Sequence, residues 1–172
     1  MTLLHHVFGS LEAMIAAYGA FGLFLVLYFE SFGAPLPGES ALITVSLLAA
    51  QGDLPISHVL LAAWLGGVLG DSTGYVIGHV GGRPLLMWLA PKIKLTPERL
   101  ARVEKTAREK GFFMVMTARF VVGLRQLNGI LAGTVAMPWP RFFLANALGA
   151  LIWASFWSLG AYFFADLFRR FL

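Results

Sequence analysis

Four ionisable side chains stand where an apolar chain can least tolerate them. Glu30 and Glu39 flank Ser31-Phe-Gly-Ala-Pro-Leu-Pro-Gly38, and Arg119 and Arg125 frame Phe120-Val-Val-Gly-Leu124. At the centre of a membrane helix each such charge costs roughly 2.5–3.5 kcal/mol on insertion scales, so each must pair, reach water or change protonation state. The acids lie in one broken segment and the bases in another. The economical arrangement brings the two segments tip to tip, each arginine neutralised by an acid from the opposite one. Guanidinium forks match phosphate oxygens, which makes Arg119 and Arg125 candidates for holding an anionic headgroup. A carboxylate in low dielectric can take up a proton, because desolvation disfavours its charged form. Glu30 and Glu39 are therefore candidates for proton coupling and gating, with Asp71 and Asn128 as accessory positions. A purely structural role as ion pairs is the plainer alternative. Buried pairs bring little net stability over apolar substitutes, which favours the functional reading.

Other chemistry finds no support in the residue pattern. Cysteine is absent, so there is no disulfide, thiolate ligand or thiol nucleophile. His5, His6, His58 and His79 have no metal-ligand spacing and no HExxH motif occurs. Gly70-Asp-Ser-Thr-Gly-Tyr-Val-Ile-Gly78 lacks the spacing of a nucleotide loop, and there is no GxSxG elbow. No metal, cofactor, catalytic set or enzymatic activity is expected.

The elements that must position the four charges follow from composition. Of 172 residues, 58% are hydrophobic and 13% charged, against about 25% charged in a soluble domain. Mean hydropathy is +0.75, too high for so short a chain to conceal internally. The expected fold is an all-α integral membrane protein of one domain, residues 1–172, of which 1–12 are an N-terminal segment. Its first half spans 13–82. The 17 uncharged residues Ala13–Phe29 lie near the lower limit for a crossing and lack the basic flank and A-x-A site of a cleaved signal. Residues 30–52 hold Pro35 and Pro37, and the 13-residue uncharged run Ser40–Gly52 is too short to span, so a re-entrant hairpin is expected. Asp53 reads as part of the polar turn after Gly52. Leu54–Gly82 carries the next crossing. Gly66, Gly70, Gly74 and Gly78 recur every fourth residue along it, one small-residue groove for a close helix neighbour, with Asp71 on the same inward face.

Residues 83–110 form the basic segment. Eight basic and three acidic residues between Arg83 and Lys110 give it +5, while the whole chain carries +4. The basicity is thus one loop, placed in the cytoplasm by the positive-inside rule, and not a nucleic-acid surface. Thr96 and Pro97 mark a helix start, Leu100, Val103 and Ala107 a thin apolar face, Glu104 and Arg108 an i,i+4 pair, and Gly111 a helix end. An amphipathic surface helix is expected there. The second half spans 111–172. Its 8-residue apolar run Gly111–Ala118 is cut short by Arg119, which predicts a second re-entrant hairpin over 111–136. The 24 uncharged residues Phe142–Ala165 form the clearest transmembrane helix, closed by Arg169 and Arg170. Two opposed re-entrant hairpins, each followed by a long helix, make a pseudo-inverted repeat with a site between the halves.

Four blocks resemble the DedA family of bacterial membrane proteins, also called the SNARE-associated or VTT-domain family. They are Phe29-Glu-Ser-Phe-Gly-Ala-Pro-Leu-Pro-Gly-Glu39, Gly70–Gly78, Gly111-Phe-Phe, and Arg119-Phe-Val-Val-Gly-Leu-Arg125 followed by Ala132-Gly133 and Met137. The resemblance covers about residues 20–165. It implies opposed re-entrant hairpins in an inner-membrane protein and proton-gradient-dependent lipid translocation, with undecaprenyl phosphate the best-supported substrate. The family's acidic pair falls on Glu30 and Glu39, and its arginine pair on Arg119 and Arg125. Val122 stands where many members have Pro, and His79 where they have Arg. The chain is also expected to lack a further C-terminal helix common in the family. The function expected is a flippase or scramblase for an anionic lipid, with protons and the bilayer as partners and self-association left open. A proton-coupled transporter of small ions or solutes and a non-transporting membrane-integrity scaffold are the alternatives.

Overall fold

The structure, a computed structural model, describes residues 18–89, 96–121 and 124–171. His5, His6, residues 13–17 of the first apolar run, and Val122 lie outside the described residues. Every regular element among the described residues is helical: α1 (Tyr18–Ser31), α2 (Gly38–Gln51), α3 (Ile56–Leu89), α4 (Pro97–Ala118), α5 (Asn128–Thr134) and α6 (Trp139–Phe171). Ile56–Gly82 and Trp139–Ala165 are each 27 residues long and predominantly apolar. At 1.5 Å per residue each is about 40 Å long, enough to cross a hydrocarbon core of about 30 Å. The 14-residue α2 reaches only about 21 Å.

α1 does not break at the first carboxylate. It runs through Glu30 to Ser31 and ends at Gly33, whose φ of 110° is open to glycine alone at little cost. The N–H of Gly33 reaches Glu30 O at 3.1 Å and that of Ala34 reaches Phe29 O at 3.1 Å, the two bonds of a Schellman cap. Pro35 and Pro37 then exclude helix until Gly38, and Glu39 sits in the first turn of α2, where the helix dipole favours an acid. The first hairpin is therefore α1 and α2 joined at residues 32–37, and Glu30 belongs to its first arm. Leu23 and Leu27 of α1 and Leu42 and Ala49 of α2 pack into one core with Trp153 and Ala154 of α6. Gly52 (φ 93°) ends α2, and Asp53 lies in the exposed turn, as expected.

The glycine stripe of α3 serves two neighbours, not one. A Cβ at Gly66 would stand 2.7 Å from Phe24 O, and one at Gly70 would collide with the Tyr28 carbonyl, so α1 crosses this half. Gly78 faces Ile130 of α5 instead, and Gly74 lies between Ile130 and Phe32 of the turn after α1. α5 answers with Gly129 and Gly133, which press on the backbone of Asp71 and Tyr75. Small residues on both helices allow this backbone-to-backbone approach. The crossing ends at a kink at Gly82 (φ 50°, ψ −146°).

α4 starts as expected, with Thr96 Oγ1 accepting from Arg99 N at 3.4 Å and Pro97 in the first turn. The Glu98 carboxyl is held below its usual range by hydrogen bonds from its own N–H and the Thr96 hydroxyl. Gly111 does not end the helix. The backbone departs from helix at Lys110 (φ −130°, ψ 27°) and resumes to Ala118, so the surface helix and the first arm of the second hairpin are one bent element. Gly111 is buried there against Met137, with which α5 closes toward α6. Ala107 is buried and Lys105 pairs with Glu109 at 3.9 Å, while the side chains of Leu100, Val103, Glu104 and Arg108 lie outside the described residues. The Tyr75 hydroxyl donates to Met137 O, and its ring stacks on Phe142 at 4.6 Å, in a second core.

Candidate functional site

The charges meet where the tips of the two hairpins face α6. After α4 ends, a 3-10 turn at Arg125–Leu127 leads into α5 and carries Arg125 toward α1 and α2. Its Nη2 donates to Glu30 Oε1, and its Nη1 stands 3.7 Å from Glu39 Oε2. The guanidinium lies over the Trp153 ring, 4.7 Å from the centroid. Such stacking is available to Arg's flat cation. Glu30 is buried and Arg125 nearly so, whereas the Glu39 side chain is 38% exposed. Gly38 is required beside them, since a Cβ would run into the Glu30 carboxylate. These groups, with Gln126 and Trp157, line a cavity of about 340 Å³.

Arg119 is not paired as the sequence suggested. Both hairpin acids converge on Arg125, and Arg119 turns instead toward α3. Its Nη2 donates to Asp71 Oδ2 at 2.6 Å, Asn146 Oδ1 at 2.8 Å and Gly67 O at 2.9 Å. Gly67 makes room, since a Cβ there would lie 2.7 Å from Arg119 Nη1. Asn146 completes the cluster by donating from Nδ2 to Val68 O at 3.1 Å. The expected quartet is thus a triad of Arg125, Glu30 and Glu39 beside a separate latch of Arg119, Asp71 and Asn146. Arg119 still borders the cavity, at its buried edge.

Asn128, at the start of α5, donates to Val115 O at 3.0 Å and ties the two arms of the second hairpin. Asp71 Oδ1, Arg119 Nε and Asn128 Oδ1 are buried and, among the described residues, have no hydrogen-bond partner. Gly66, Gly70, Gly74 and Gly78 hold the helices that carry the site but do not touch the cavity. Among the described residues no group of three or more His, Asp or Glu is placed to hold a metal.

Asn146, Trp153 and Gly67 were missed by reading the sequence. Asn146 left a signal, being the one amide within the Phe142–Ala165 run. Trp153 left none, because an aromatic in such a run reads as a lipid or core contact.

The chain matches the family model described as the VTT domain over residues 36–163. It is 38% identical over 154 residues to an uncharacterized membrane protein of Synechocystis, covering 90% of this chain and 71% of that protein. An uncharacterized membrane protein of Mycobacterium tuberculosis H37Rv is 36% identical over 142 residues, covering 80% and 65% of the two chains. A Lactococcus lactis protein named alkaline phosphatase-like is 30% identical over 146 residues, covering 79% and 66%. The chain therefore spans about two thirds of the length of these relatives. No solved structure matches it.

Proposed function

The chain belongs to the VTT-domain family, the DedA or SNARE-associated membrane proteins, and on that premise we propose that it moves an anionic lipid, undecaprenyl phosphate or a close relative, across the bacterial inner membrane with proton coupling. The observation that carries this reading is Arg125 at the wall of the cavity, shared between Glu30 and Glu39 of the opposite hairpin. A phosphate offers Arg125 a bidentate partner that competes with either carboxylate. Glu30, displaced yet still buried, takes up one proton, because an unpaired charge at low dielectric is costly. Release of the phosphate reverses both steps. Glu39, partly exposed, connects the site to the outside of the protein. Trp153 holds the guanidinium in place when the carboxylate leaves.

In this reading the two hairpins are re-entrant from opposite sides and form a pseudo-inverted repeat, with the basic segment 83–110 cytoplasmic. Arg119 keeps the second hairpin locked to α3 and α6 while Arg125 exchanges partners. Reconstitution of the purified chain in vesicles carrying labelled undecaprenyl phosphate or labelled phosphatidylethanolamine tests the proposal. The undecaprenyl lipid should become accessible in the opposite leaflet, and Arg125→Ala should stop it. Passage of a small anion with neither lipid moving would favour the solute-transport alternative. Release of inorganic phosphate in the same vesicles would favour the hydrolase that the Lactococcus lactis name suggests.

A further inference from the structure

A second and larger cavity, of about 800 Å³, opens on the other side of the second hairpin, away from the charged triad. One wall is the bend of α4 at Lys110, Gly111, Phe112 and Phe113, and the other is the α5–α6 turn with Met137 and Arg141. Its size lies within the range of small-ligand pockets, about 300–1,000 Å³.

The charges at its rim are unbalanced. Lys110 and Arg141 are exposed, and among the described residues neither makes an ion pair. Glu109, on the same rim, faces Lys105 at 3.9 Å along its own helix. Two cations therefore stand over an interior of Phe112, Met137 and their neighbours, with Phe113 exposed beside the opening. Such an amphipathic hollow asks for a ligand with an anionic head and an apolar body. The surrounding segment belongs there: α4 leaves the basic surface helix at this bend, and α6 enters the apolar span with Trp139 at its first turn, the belt position typical of an interface.

We propose that this cavity holds one anionic phospholipid of the leaflet on the basic-segment side, its phosphate between Lys110 and Arg141 and an acyl chain along Phe112 and Met137. The site is distinct from the Arg125 triad and does not depend on transport. It fastens the bend of α4, and with it the first arm of the second hairpin, to the membrane surface.

Native mass spectrometry of the full chain in detergent, titrated with phosphatidylglycerol or phosphatidylcholine, tests this. Two interfacial cations predict a preference of about thirtyfold for retaining one phosphatidylglycerol. Lys110→Gln with Arg141→Gln should abolish the preference, and Arg99→Gln with Arg102→Gln, an equal loss of charge at exposed positions of the same helix, should preserve it. The readout is retained phosphatidylglycerol and not the movement of a lipid between leaflets, so this result and that of the transport assay are independent. An unchanged preference in the Lys110/Arg141 variant, or none in the natural chain, overturns the proposal. So does equal competition by glycerophosphoglycerol, which would make the site one for a free phosphate ester.

Discussion

Arg119 and Asp71, 48 positions apart in sequence, meet at 2.6 Å with their side chains only 2% and 1% exposed. Within that contact α3 and the second hairpin become one body, and Asn146 adds α6 to it. A guanidinium so enclosed exchanges partners with difficulty, whereas Arg125 has a partly exposed acid within reach.

Removing one member of the latch strands the other. Asp71→Ala should cost about 3–5 kcal/mol, the usual penalty for orphaning a buried charge, whereas Asp71→Leu with Arg119→Met should recover much of it. Thermal unfolding of the purified variants in detergent checks this. A single Asp71→Ala variant as stable as the natural chain would show that the pair holds nothing together.

At the triad, charge alone should not suffice. Arg125→Lys keeps a cation but loses the fork and the flat face over Trp153, so lipid transport should fall by about tenfold or more while the fold survives. Transport equal to that of the natural chain would leave the bidentate exchange without support.

The two acids should differ with pH. Glu30→Gln should flatten the dependence of transport on pH, because a buried amide neither pairs as a charge nor takes up a proton. Glu39→Gln should alter it less, its side chain being partly exposed where that of Glu30 is buried. Transport measured against pH in matched vesicles decides it, and an unchanged profile for Glu30→Gln would remove Glu30 as the proton carrier.

The glycines of α3 should not be equivalent. Gly78→Ala drives a methyl into Ile130 O and should cost about 1–3 kcal/mol, the usual range for overpacking. Gly74→Ala meets Ile130 at 3.4 Å, which a small shift relieves, and the better helix propensity of Ala offsets it. Stability of the two variants side by side tests the order, and a reversed ranking would overturn this account of the α3–α5 contact.

The first hairpin should return to the side it enters. Single cysteines at Tyr18 and Gln51, both exposed at the far ends of α1 and α2, should label from one face of the membrane in an otherwise cysteine-free chain. Labelling from opposite faces would make α1 a crossing.

The two long helices were legible because crossing a bilayer is a one-dimensional requirement. A predominantly apolar run either reaches about 30 Å or does not, and Leu54–Gly82, despite His58 and Asp71, and Phe142–Ala165 do. The break around Pro35 and Pro37 was legible for a similar reason, since proline lacks a donor wherever it stands. The need to neutralise Glu30, Glu39, Arg119 and Arg125 was equally local, an energy that attaches to each residue. Which acid serves which arginine was not. That depends on the rotation of each helix about its axis and on which backbones come within reach, and both are set by packing. Gly67 opens α3 to Arg119, Asp71 and Asn146 face that opening, and α1 presents Glu30 to Arg125. The glycine stripe declared that α3 has a close neighbour, but a groove without side chains carries no mark of who fills it. Only the folded chain divides it between α1 and α5, and so decides that one arginine is locked while the other faces the cavity.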